Sequence, residues 1–164
     1  MDQQVSDHGE LNRTAVERKS DRELVIIRTF DAPAPIVFAA WSQPELFRRW
    51  WVPEGSGMSL VSCEMDVRSG GKYRLEFAAG KQIMAFHGKY LDVVPDRLIV
   101  WTNDEGEEAA VTTVTFEDQG GKTLLTFHEI YPSKEALDEA MQGSAAGLPT
   151  QLDQLEALLS TLGD

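Results

Sequence analysis

The chain has 164 residues and a formal charge of −12, with 42% apolar and 26% charged residues. This is the composition of an ordinary globular domain, and it excludes a fibrous or wholly disordered chain. Its apolar runs fall far short of the roughly 20 residues that cross a bilayer, so we expect no membrane insertion. The acidic excess repels phosphate backbones and argues against nucleic acid as a partner.

The N-terminal part of the chain is polar and shows neither a helical nor a strand period. We therefore predict a disordered tail over residues 1–22. It lacks the apolar run of a secretory signal. Cys63 is the only cysteine, which excludes an intramolecular disulfide and suits a reducing compartment. We expect a cytoplasmic protein with a single folded domain over 23–164.

The predicted domain opens on a strand and two short helices. Residues 24–30 are rich in β-branched side chains, as in a strand, and the prolines that follow end it. Pro35 suits the first turn of a helix. Ser42 and Glu45 have the spacing of a capping box, which predicts that a second helix begins just after Ser42.

A meander and a long helix complete the predicted domain. From Met58 to Tyr131, turn pairs separate runs of strand length, which predicts six antiparallel strands. Residues 134–142 are predicted to form a separate turn or two of helix. Beyond them, leucines recur at alternating spacings of four and three, which predicts an amphipathic helix from about Gly147 that packs on the sheet. These leucines are Leu148, Leu152, Leu155, Leu159 and Leu162.

Pairing across the hairpins assigns alternate residues to the two faces of the sheet. A two-residue turn at Gly120-Gly121 sets Val114 opposite Phe127, and this apolar pair defines the inner face. The same register sets Thr113 opposite His128, on the outer face.

The remaining hairpins bring aromatic rings to the inner face. A turn at Ala79-Gly80 sets Tyr73 opposite Phe86. Pairing across the turn at Pro95-Asp96 sets Tyr90 beside Trp101. The pattern of this hairpin is compatible with a β-bulge close to these two residues. Several bulky rings are therefore expected to converge beneath the C-terminal helix.

The three histidines do not converge in the same way. His87 and His128 fall on the outer face, and His8 lies in the predicted tail. A zinc site needs three or four ligands around one point. We therefore predict no metal site.

The inner rings are more numerous than a thin contact between a helix and a sheet requires. They either fill the core or line a hollow that the helix leaves on a strongly curved sheet. Glu129, Tyr131 and Gln82 would be the polar groups of such a hollow. The residues alone leave both interpretations open.

Several motifs add a resemblance to a known family. They are residues 30–33 (FDAP), 37–41 (VFAAW), 47–53 (FRRWWVP), 66–74 (DVRSGGKYR) and 88–98 (GKYLDVVPDRL). In this order they resemble the SRPBCC superfamily, and within it the homologues of the heat-shock-protein-ninety ATPase activator. The resemblance implies an α+β helix-grip fold (START-like, Bet v 1-like), in which a curved antiparallel sheet wraps around a long C-terminal helix.

Members of this superfamily bind hydrophobic molecules between the helix and the sheet. The resemblance therefore favours non-enzymatic binding of a small hydrophobic or aromatic ligand, with no cofactor. The residues expected to contact the ligand are Trp50, Trp51, Tyr73, Phe86, Tyr90, Trp101, Phe127, Glu129, Leu148 and Leu152.

Two other functions stay open. One is a stress-related or co-chaperone-like interaction module with a chaperone or another protein as its partner. The other is a small enzyme that uses the cavity as a reaction chamber, with Glu129 as its inward acid or base. Whichever function holds, we expect a homodimer.

Overall fold

The computed structural model describes residues 14–103, 110–142 and 144–162. In these ranges the strands are β1 (Ala15–Arg18), β2 (Glu23–Phe30), β3 (Met58–Met65), β4 (Lys72–Ala79), β5 (Gln82–Val94), β6 (Leu98–Asn103), β7 (Val111–Asp118) and β8 (Thr123–Ile130). The helices are α1 (Ala34–Ser42), α2 (Pro44–Phe47), α3 (Lys134–Gln142) and α4 (Leu148–Leu162), with a 3₁₀ turn at Ser144–Gly147.

All of these strands belong to one antiparallel sheet in the order β1-β2-β8-β7-β6-β5-β4-β3. The six strands β3 to β8 form the predicted meander, and β2 closes onto β8. The helix-grip fold, with a C-terminal helix on a curved sheet, is confirmed. No helix in the described ranges is both long and apolar enough to cross a membrane.

The strand β1 lies where the sequence predicted a disordered tail. Ala15 pairs with Ile27 and Arg18 pairs with Leu24, so backbone hydrogen bonds attach it to β2. All four of its side chains are exposed, so no alternation of apolar and polar residues marks it in the sequence. The prediction of disorder is wrong for these residues, and residues 1–13 lie outside the described ranges.

The predicted capping box between the two short helices is also wrong. Ser42 is the last residue of α1, and Gln43 stands at the N-cap of α2 without a side-chain cap. The physical reason is Pro44, because a proline disfavours the helical conformation in the residue before it. Gln43 is accordingly extended, with φ −101° and ψ 121°.

The predicted pairings of the later strands are confirmed. Val114 lies opposite Phe127, and Tyr90 lies opposite Trp101. The register shifts immediately after Tyr90, between it and Asp92. This irregularity corresponds to the β-bulge with which the sequence pattern was compatible.

The predicted pairing of β4 with β5 is wrong by two residues. Tyr73 lies opposite Gly88 rather than Phe86, because Ala79 pairs with Gln82 and the turn is formed by residues 80 and 81. Gly80, with φ +64°, takes the left-handed conformation that this turn requires. A shift of two residues keeps every side chain on its face, so the predicted inner set is unchanged.

The helix α4 packs against the concave face of the sheet. It buries Leu148, Gln151, Leu152, Leu155, Leu158 and Leu159, with Leu162 partly buried. The predicted leucine stripe and the separate helix α3 are confirmed.

An arginine from β2 fixes the lateral position of α4. The Arg28 side chain is only 4% exposed. Its Nη1 donates to Asp153 Oδ1 at 2.5 Å and its Nη2 donates to Glu156 Oε1 at 2.5 Å. Both carboxylates belong to α4, so the guanidinium holds the helix over the β2 side of the sheet.

We expect Arg28→Ala to lower the free energy of unfolding by about 2–3 kcal/mol, since it removes two charge-assisted hydrogen bonds to α4 and the packing of a long buried side chain. The matched control is Arg74→Ala, which breaks the exposed Arg74–Glu76 pair at 2.9 Å and should cost less than about 1 kcal/mol. Urea unfolding of both variants measures the difference. Equal losses would contradict the role given to Arg28.

Candidate ligand-binding cavity

A cavity of about 780 Å³ lies between α4, the segment after α2 and the concave face of the sheet. Nine aromatic rings line it: Trp41, Phe47, Trp51, Tyr73, Phe77, Phe86, Tyr90, Trp101 and Phe127. Strands β4, β5 and β6 supply five of these rings, because alternate residues of a strand face the same side. Of the two interpretations that the sequence allowed, a filled core or a hollow lined by rings, the structure therefore shows the hollow.

The floor of the cavity is Trp41 of α1, which is 2% exposed. The centroid of its ring lies 4.7 Å from that of Trp50, 6.0 Å from that of Trp101 and 6.2 Å from that of Phe127. Aromatic pairs at these separations stabilise one another beyond the area that they bury. The floor is thus a packed aromatic cluster rather than a set of loose side chains.

One cross-strand row forms the wall of the cavity nearest β8. Glu129 pairs with Thr112, Thr112 pairs with Trp101, and Trp101 pairs with Tyr90. All four side chains line the cavity. The row therefore changes from carboxylate to hydroxyl to aromatic across four neighbouring strands.

Glu129 is the carboxylate of this row. Thr112 Oγ1 donates to its Oε2 at 2.8 Å, and the Tyr131 hydroxyl donates to its Oε1. Burial raises the pKa of Glu129 above its usual value, while these two hydrogen bonds act in the opposite direction. Burial likewise raises the pKa of Tyr131, so its hydroxyl remains a donor.

Two tyrosines form the wall on the β4–β5 side. The rings of Tyr73 and Tyr90 lie 5.5 Å apart between centroids. The Tyr73 hydroxyl donates to the Thr102 carbonyl at 3.3 Å, and a Cβ on Gly88 would stand 2.7 Å from that hydroxyl. Glycine at position 88 is therefore what gives the Tyr73 ring its room.

Two glutamines of α4 hold the segment that borders the mouth. Gln154 Nε2 donates to the carbonyls of Trp50 at 2.9 Å and Val52 at 2.8 Å, and its Oε1 accepts from the Glu54 amide at 2.6 Å. Gln151 Nε2 donates to the Trp51 carbonyl. One face of α4 thus positions backbone that carries no regular secondary structure of its own.

Eight of the ten residues predicted to contact a ligand line the cavity: Trp51, Tyr73, Phe86, Tyr90, Trp101, Phe127, Glu129 and Leu148. Trp50 does not, because its indole Nε1 donates to the Ala40 carbonyl at 2.9 Å inside the core. Leu152 is fully buried in the core as well. Both lie outside the cavity lining and support it from behind.

Several lining residues escaped the sequence reasoning. Leu75, Phe77 and Ile99 share the inner face with predicted residues, so the alternation along their strands could have identified them. Trp41 lies on a short helix whose apolar residues surround it, and residues 53–56 have no periodic pattern. Only the three-dimensional packing places these at the cavity.

The curved sheet, the C-terminal helix and the cavity between them define a helix-grip protein of the START-like class. The chain belongs to the family described as Activator of Hsp90 ATPase homolog 1-like protein, whose model matches residues 31–160. This confirms the family resemblance seen in the motifs. No curated protein matches the chain significantly.

Solved bacterial structures share this fold. A protein from Rhodobacter sphaeroides is 19% identical with a TM-score of 0.81, over 91% of this chain and 99% of that one. An AHSA1-like protein from Aeromonas hydrophila is 21% identical with a TM-score of 0.71, over 86% and 94%. A protein from Rhizobium leguminosarum is 30% identical with a TM-score of 0.66, over 90% and 98%.

The contacts of Gln154 predict a local effect on the mouth. In Gln154→Ala, amide hydrogen exchange at Glu54 should accelerate about tenfold, because the amide loses its acceptor and the segment loses two further hydrogen bonds. The Ala136 amide, which Ser133 Oγ caps at 3.1 Å, is the internal reference and should not change. Unaltered exchange at Glu54 would show that Gln154 does not hold the segment.

The environment of Glu129 predicts a pH effect on stability. Since folding raises its pKa, the folded state binds the proton more tightly, and wild type should lose stability as the pH rises from the unfolded pKa through the folded one. Each pKa unit between the two states corresponds to about 1.4 kcal/mol. Glu129→Gln lacks this titration, so wild type should become less stable relative to this variant as the pH rises above 4.5, the usual pKa of the carboxyl group. A pH-independent difference in urea unfolding would contradict the assignment.

Proposed function

We propose that the protein binds a small apolar or aromatic molecule in the cavity, without chemical conversion. The observation that carries the proposal is the open volume of about 780 Å³ lined by nine rings. Small-molecule sites are concave, mostly apolar and about 300–1,000 Å³ in volume, with a few polar groups that fix orientation. The family resemblance supports the same location for a ligand.

Removal of apolar surface from water would supply most of the binding free energy. Each Å² of apolar area removed contributes roughly 25 cal/mol. Phe86 is 38% exposed, and Trp51 and Trp101 are half-buried, although all three line the cavity. A bound apolar molecule would cover ring surface that the folded protein itself leaves accessible.

The cavity is also shaped before any ligand binds. The Trp41 cluster packs its floor, and Gln154 ties the bordering segment to α4. Side chains already held in place lose little further conformational freedom on binding. This rigidity supports binding as the function of the cavity.

We expect Met84→Trp to weaken binding of a neutral probe, 2-(2-naphthyl)ethanol, by at least about tenfold, because the larger side chain occupies the cavity. The matched control is Ile83→Trp, the neighbouring residue on the same strand, which is 60% exposed on the outer face. Isothermal titration calorimetry measures affinity, and melting temperature measures the stabilisation that a ligand specific for the native state must produce.

Two outcomes would contradict this function. The first is the absence of saturable binding by a panel of neutral aromatic and aliphatic alcohols. The second is capture of a protein partner, such as a chaperone, that Ile83→Trp abolishes and Met84→Trp leaves intact, as an interaction module would require. Turnover of a bound molecule, lost in Glu129→Gln with binding retained, would instead make the protein an enzyme.

A further inference from the structure

The charged groups of the cavity all have the same sign. Among its lining residues in the described ranges, Glu54 and Glu129 are the ionisable acids, and lysine, arginine and histidine are absent. The whole chain carries a formal charge of −12. A site of this kind repels anions and attracts cations.

Glu129 is a carboxylate without a counter-charge. In the described part of the chain, none of the ion pairs involves it. The nearby His128 points to the opposite face, where its Nε2 lies 3.1 Å from Glu23 Oε1. Glu129 is partly buried in a largely apolar cavity, where an unpaired charge is costly, so a cation from outside the chain would relieve this cost.

The carboxylate also has unused hydrogen-bonding capacity toward the cavity. A carboxylate offers about four acceptor sites. Thr112 and Tyr131 each donate to a different oxygen of Glu129, which leaves about two sites. Glu129 lines the cavity and its side chain is partly accessible.

Two aromatic residues are neighbours of Glu129 in the sheet. Phe127 precedes Glu129 by two residues on the same face of β8, and Trp101 lies one strand beyond Thr112 in the same row. The centroids of the Trp101 and Phe127 rings are 6.2 Å apart. Cations are attracted to aromatic faces within about 6 Å of the ring centroid, most strongly to tryptophan.

We propose that the natural ligand is a cationic amine with an apolar or aromatic body. Its ammonium group donates to the Glu129 carboxylate beside the rings of Trp101 and Phe127, and its body fills the space toward β4 and β5. This inference rests on the proposed binding function and specifies the chemistry of the ligand. Anionic amphiphiles such as fatty acids are disfavoured, because they would place a second negative charge beside Glu129.

Three probes of similar size separate these chemistries: 2-(2-naphthyl)ethylamine, 2-(2-naphthyl)ethanol and 2-naphthylacetate. At pH 7 the amine should bind wild type at least about tenfold more tightly than the alcohol, and the acid should bind most weakly. Glu129→Gln should remove the preference for the amine over the alcohol. Glu117→Gln, which changes an exposed glutamate of β7 outside the cavity lining, is the control and should keep the preference.

Equal binding of amine and alcohol by wild type would overturn the inference while the binding function stands. Tighter binding of the acid would overturn it as well. If none of the three probes binds wild type, the proposed function fails and the inference fails with it. The wild-type ranking decides the matter even if Glu129→Gln does not fold.

Discussion

The position of α4 on the sheet is the constraint on which the site depends. A helix of 15 residues is about 22 Å long and 10 Å wide, whereas eight strands span about 34 Å across a sheet. One helix therefore cannot cover the concave face. Arg28 holds α4 toward β2, and Gln154 ties its other side to residues 50–54. The inner face of β4, β5 and β6 is separated from α4 by a cavity, which its rings and the first turn of α4 line together.

The same constraint explains the polarity of the site. Glu129 lies on β8, the third strand of the sheet and the neighbour of β2, at the border between the part of the sheet that α4 covers and the part that it leaves open. Its neighbours Thr112 and Tyr131 satisfy part of its acceptor capacity. A carboxylate in the fully packed half would need a cation of the chain as its partner. The buried Arg28 illustrates the reverse case, because two carboxylates of α4 neutralise its charge. At the border, a ligand can supply it.

Much of this architecture could be predicted from the sequence, because the periodicities of strands and of α4 are strong local signals. The assignment of faces survived a two-residue error in the pairing of β4 with β5, since a strand repeats every two residues. The directions of the Trp50 and Trp51 side chains could not be predicted from the sequence. Adjacent residues after a helical turn take directions that only packing decides: Trp50 turns toward Ala40 and Trp51 toward the cavity. Exposed β1 carries no alternation at all.

The central claim, that rings enclose space for a ligand, is tested most directly by the indole N–H resonances of the four tryptophans during titration with 2-(2-naphthyl)ethylamine. Trp41, Trp51 and Trp101 line the cavity, so their signals should shift and saturate together. Trp50, whose indole donates to Ala40 inside the core, should shift least. Saturable binding with no indole shift, or with Trp50 shifted most, would place the ligand elsewhere and contradict the account.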